Sequence, residues 1–99
     1  MLTLDKGNSY LIKTRNGHFY LGEFVGCEKH AYVGTKFLRT VEVFKDSYCK
    51  STRGNLSHYN YLHLIPQKIQ GVTQVEFDKA KFLNMSKPEL EICFKGEDF

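Results

Sequence analysis

The sequence has no tryptophan and two prolines. None of its apolar runs approaches the ~18 residues that a membrane-spanning helix requires, so no membrane partner is expected. Met1-Leu2-Thr3-Leu4-Asp5 lacks the basic stretch running into an apolar one that marks a secretory leader. A cytoplasmic location is therefore expected. Cysteine is scarce, odd in number and dispersed, at Cys27, Cys49 and Cys93. That pattern suits free thiols better than a disulfide framework.

Catalytic signatures are missing as well. The chain contains no Gly-x-Ser-x-Gly, no His-Glu-x-x-His and no glycine-rich phosphate loop. An enzyme is not expected, and no catalytic residue is assigned. What stays open is a nuclease-like acid–base pair, since folding need bring together only two groups. His58 and His63, with Glu28 or Glu42, are the candidates. Cys27 and His30 have a Cys-x2-His spacing, but no second pair completes a tetrahedral set. Cys49 could join His58 or His63 only through a fold contact, so neither a metal nor a cofactor is expected.

What the sequence does contain is aromatic bulk. Its 99 residues make one domain, and eight Phe and six Tyr supply the packing and contact groups. The net charge of +3 is uneven, with +5 over residues 1–70 and −2 over residues 71–99. A basic body with an acidic tail suits an anionic partner; a solubilising surface is the plainer alternative.

Tyr10-Leu11-Ile12-Lys13-Thr14 reads as a strand. Asn16-Gly17 then predicts a hairpin with a type I′ turn, because both residues tolerate positive φ. His18 to Val25 forms the return strand, with Gly22 marking a bulge and Gly26 its end. Cys27 to His30 reads as a polar loop, followed by strands over Ala31–Leu38 and Val41–Phe44. Lys45 to Asn55, the longest polar stretch, reads as a loop. Leu56 to Ile65 is a further strand, stopped by Pro66. Val72 to Phe77 alternates like a strand, and Asp78 to Leu83 either extends it or turns into a helix. Ser86-Lys87-Pro88-Glu89 matches a capping box, whereas Leu90, Ile92 and Phe94 alternate as in a strand, the reading preferred here. The chain is thus expected to be mainly β: a small barrel of five to six short strands over residues 1–70, with a C-terminal extension over 71–99, strand or short helix, packed on the same domain.

Asn16-Gly17, Gly22, Phe24 and Gly26 fall at the glycine and apolar positions of a known first motif, and Glu28 sits at its acidic position. Arg53-Gly54-Asn55 resembles the matching second motif, a basic residue followed by Gly and Asn or Asp. On these residues the chain resembles the Sm-like (Lsm/Hfq-type) small β-barrels, and more widely the SH3-type barrels, whose hairpins need the same turns. Tyr32 departs from the family's characteristic Asn, and Thr52 from its usual aliphatic residue. An N-terminal helix is also absent from the sequence pattern.

The resemblance implies that the segment carrying Lys29, His30 and Tyr32 shares one barrel mouth with Arg53 and Asn55. Tyr32 would stack on a base and Arg53 would pair with a phosphate, with Lys29 and His30 assisting. The structural alternative places Tyr32 in the core and Arg53 on a solvated turn. Tyr59, Tyr61 and His63 share one face of their strand by alternation, a platform for a partner or simply a half-buried core strand. Binding of nucleic acid, RNA before duplex DNA, is the expected function. The competing expectation is a protein-interaction module or small inhibitor, of the kind found among phage accessory proteins. Homo-oligomerisation separates the two barrel types: an Sm-like protein should form a ring, and an SH3-type module can be monomeric.

Overall fold

The computed structural model describes residues 3–31 and 38–94, with Ala31 described by its backbone alone. The hairpin at Asn16-Gly17 joins strand β1 (Ser9–Thr14) to β2 (Phe19–Ala31). Its turn differs from the expected type I′: Gly17 has φ +86°, while Asn16 does not share the positive φ. The Gly17 N–H donates to Thr14 O at 3.0 Å and Thr14 N–H to His18 O at 2.9 Å. These bonds describe a three-residue loop with glycine at the left-handed position. Thr14 Oγ1 donates to Asn16 Oδ1, so asparagine acts through its side chain rather than through its φ.

Strands β3 (Leu38–Lys50) and β4 (Leu56–Leu64) follow, then β5 (Ile69–Val75). Among the described residues these five strands form one antiparallel sheet in the order β4-β3-β2-β1-β5. β5 begins before and ends after the boundary expected at residue 70, and its ladder pairs with β1. The 13-residue β2 and β3 are longer than the sequence suggests. Cys27 to His30 lies inside β2, and Lys45 to Lys50 inside β3, where loops were expected. Polarity misleads there because Cys27 to Lys29 are exposed on both faces of β2, and Lys45 to Lys50 bury only Ser47 and Cys49. Gly26 does not end β2; the ladder shifts register between Leu21 and Glu23 and again between Phe24 and Gly26. The first shift centres on Gly22, where a Cβ would come within 2.3 Å of Ser47 Oγ. Glycine thus lets β2 bend against β3.

Two helices end the described chain, α1 (Lys79–Asn84) and α2 (Lys87–Ile92). The preferred strand over residues 90–94 is therefore corrected. Ser86 and Glu89 complete a capping box, Ser86 Oγ accepting from Glu89 N–H and the Glu89 carboxylate accepting from Ser86 N–H. The short alternation cannot compete with a satisfied helix start. Asp78 caps α1 through its side chain, which accepts from Lys81 N–H at 2.9 Å.

These helices explain why β1 and β2 are apolar on both faces. Tyr10, Ile12 and Phe24 join Phe44, Leu62, Leu64, Ile69 and Val72 inside the curved sheet. Leu11, Phe19 and Leu21 pack outward against Phe82, Leu90 and Phe94. The outer face is thus covered by the C-terminal helices. Each fully buried side chain of this size contributes about 1.5–3 kcal/mol. Lys13 Nζ also meets Glu91 Oε2 at 2.5 Å, pinning α2 to β1.

Candidate functional site

Pro66 opens a single 3-10 turn (Pro66–Lys68) between β4 and β5. Arg15 fastens that turn to the β1–β2 hairpin, its N–H donating to Lys68 O and its Nε to Gln67 O, each at 2.9 Å. The hairpin, the far part of β2 and the end of β4 thereby converge around a cleft of about 570 Å³. Its walls carry Asn16, Tyr20, His30, Tyr59, His63 and Lys68 over an apolar floor of Val41, Leu62, Leu64 and Ile65. A cleft of this size with a few convergent polar groups has the usual form of a ligand site.

Tyr20 packs against the inner core. Burial pushes its phenol pKa well above the ordinary value, and neighbouring Cys49 and Tyr59 push the same way. It is a neutral aromatic surface at physiological pH. His30 and His63 stand 4.8 Å apart, ring centre to ring centre. Glu28 Oε2 lies 2.7 Å from His30 Nε2 and 3.9 Å from His63 Nε2. β-Alternation puts Glu28 and His30 on one face of β2.

The expected site residues separate. His30, Tyr59 and His63 all line the cleft, although they were assigned to different partners. Lys29 is exposed on β2 beside it. Tyr61 lies outside it, 61% exposed on β4. Arg53 and Asn55 sit in the tight β3–β4 turn, where Gly54 has φ +83° and Ser51 N–H donates to Asn55 O at 2.9 Å. That turn is at the opposite end of β3 from Lys29 and His30, so the shared mouth expected for them does not form. Tyr32 lies outside the described residues. Of the acid–base candidates, His63 does approach Glu28, whereas Glu42 is buried and accepts from Cys27 Sγ at 3.0 Å. That hydrogen bond, more than burial, raises the Cys27 thiol pKa. His58 packs against Tyr48 instead, at 4.8 Å between ring centres.

Tyr20, Asn16 and Lys68 were missed. The sequence held a signal for Lys68, which follows the strand-stopping Pro66 where the chain must turn. Nothing local marks Tyr20, which tertiary packing brings to the cleft wall beside Tyr59.

No protein-family model matches the sequence, and no curated protein does. A solved structure does match: an archaeal Sm protein, described as heptameric and discussed for the eukaryotic snRNP core. The match has a TM-score of 0.51 and 16% identity, over 70% of this chain and 87% of that one. The fold is Sm-like. In this Sm-like fold the chain connecting β4 to β5 reads Ile65-Pro66-Gln67-Lys68. The Arg-Gly-Asn triplet therefore occupies the preceding β3–β4 turn.

Proposed function

We propose that this chain binds single-stranded nucleic acid, RNA before duplex DNA, in the cleft between the β1–β2 hairpin and β4. The observation that carries this is the convergence of Tyr20 and Tyr59 with His30, His63, Asn16 and Lys68 in one cleft. Aromatic and imidazole rings stack on unpaired bases, the amide reads base edges, and the lysine meets phosphate. The basic balance of residues 1–70 favours such a polyanion. The Sm-like fold is in keeping with this reading.

Fluorescence anisotropy with labelled single-stranded RNA across a salt series tests it. Binding should weaken linearly in log–log form as salt rises, and Tyr59→Ala should weaken it at every salt. No binding at low salt would sink the reading.

A second feature favours assembly of copies of this chain. β4 and β5 are the edges of the described sheet, and Leu56 and Tyr61 on β4 are 52% and 61% exposed. Pairing the β4 edge of one copy with the β5 edge of the next is heterologous, and it closes into a ring when the rotation between copies closes. The archaeal Sm protein is heptameric. A solution mass of one chain at tens of micromolar concentration would contradict assembly while leaving RNA binding standing.

A further inference from the structure

We propose that Glu28, His30 and His63 form a binding site for one divalent transition-metal ion of the zinc class. Their ligand atoms, one carboxylate oxygen and two imidazole nitrogens, all lie within 4.8 Å of one another. A tetrahedral zinc with bonds of about 2.0–2.1 Å needs neighbouring ligand atoms about 3.4 Å apart. The distances from Glu28 Oε2 to His30 Nε2 and His63 Nε2, 2.7 and 3.9 Å, straddle that value. Small side-chain rotations suffice, and these side chains are 40–53% exposed and free to make them.

The donor set selects the metal. Two imidazoles and one carboxylate suit zinc, cobalt or nickel, whereas calcium and magnesium prefer oxygen donors throughout. Three protein ligands leave a fourth position open, the arrangement of a site that exchanges water for a ligand. His30 and His63 both line the cleft, so that position opens onto it. Cys27 is outside the set despite its place beside Glu28, because its thiol donates to Glu42.

The backbone supplies the preorganisation. β2 holds Glu28 and His30 two residues apart on one face, and β4 brings His63 across β3. A bound ion would tie β2 to β4 over the intervening strand. It should therefore raise thermal stability as well as bind.

The test is titration of the full chain with zinc by calorimetry, and with cobalt by visible absorption. One equivalent should bind, raise the melting temperature, and give cobalt bands without a thiolate charge-transfer band. His30→Ala and His63→Ala should each weaken binding at least about tenfold, and Glu28→Gln should also weaken it. Far-UV circular dichroism checks that each variant is folded, and His63→Gln serves if His63→Ala is not. The proposal is overturned if the parent takes up no metal. It is equally overturned if folded His30 and His63 variants bind as tightly as the parent, or if the cobalt spectrum shows a thiolate band that Cys27→Ser removes.

Discussion

At the Lys50 end of β3 the sheet is covered and tied down, whereas toward Val41 the same strand forms the floor of an open cleft. Lys50 Nζ donates to the carbonyls of Phe82, Leu83 and Met85 at 3.2, 3.2 and 2.5 Å, closing the end of α1. Phe19 and Phe94 pack nearby with ring centres 5.9 Å apart. No helix lines the cleft, and Tyr59, His30 and His63 are open to solvent there while Tyr20 is half buried against the core. The Arg53 turn looks functional in sequence, but it lies beside Leu83, Met85 and Ser86 at the covered end. Tyr20 and Tyr59 line the cleft although they pair with Cys49 and Ser47 near that same Lys50 end. The division is therefore between faces: the helices stabilise the outer face of the sheet, and the cleft opens from the inner one.

The strongest way to break this contrast is Phe82→Ala. Phe82 is 2% exposed under the outer face of β1 and β2. Its loss should cost about 3–5 kcal/mol in chemical denaturation, with RNA affinity of the remaining folded protein unchanged. Lys50→Met removes one charged donor from three carbonyls and should cost about 1.5–3 kcal/mol, again without an affinity change.

In the cleft the effects should reverse. Tyr59→Ala should weaken RNA binding by about 1–3 kcal/mol, read by anisotropy, while the denaturation midpoint moves little. A large stability loss there would show that Tyr59 supports the core rather than a ligand. Ser86→Ala should cost about 1 kcal/mol through loss of the α2 cap. Glu89, in the same capping box, has its pKa held below the ordinary 4.5 by the hydrogen bond from Ser86 N–H. A depressed folded pKa means its contribution is present above 4.5 and lost as pH falls through the folded value. Thermal melts of the parent and Glu89→Gln should therefore converge on acidification. The smallest effect is expected for Arg53→Ala, within about 0.5 kcal/mol for stability and without change in RNA affinity. A clear affinity loss there would return the Arg53 turn to the binding surface.

Local signals were legible where they were chemically self-sufficient. Asn16-Gly17 marked the hairpin, Gly22 the bend, Pro66 the end of β4, and Ser86 with Glu89 a helix start. They failed where neighbours in space set the outcome. Cys27 to His30 looked like a loop because both faces of β2 are exposed there, and Lys45 to Lys50 because its buried positions are the small Ser47 and Cys49. Leu90, Ile92 and Phe94 alternate, yet Leu90 and Phe94 pack under the sheet while Ile92 is 68% exposed. That is a helical pattern as much as an extended one.

The sequence by itself determined that this would be a small, mainly β chain built on one glycine-punctuated hairpin and stapled by aromatic packing. Backbone conformation at glycine, proline and capping residues is decided by a few adjacent atoms, so it can be read locally. Tertiary structure alone decided the site. It separated Arg53 from His30 by the length of β3, brought Tyr20 and Tyr59 to one cleft, and set Glu28 and His30 beside His63. Those groupings depend on how far a bent sheet curls, which is the sum of many small register shifts and packing contacts along two long strands.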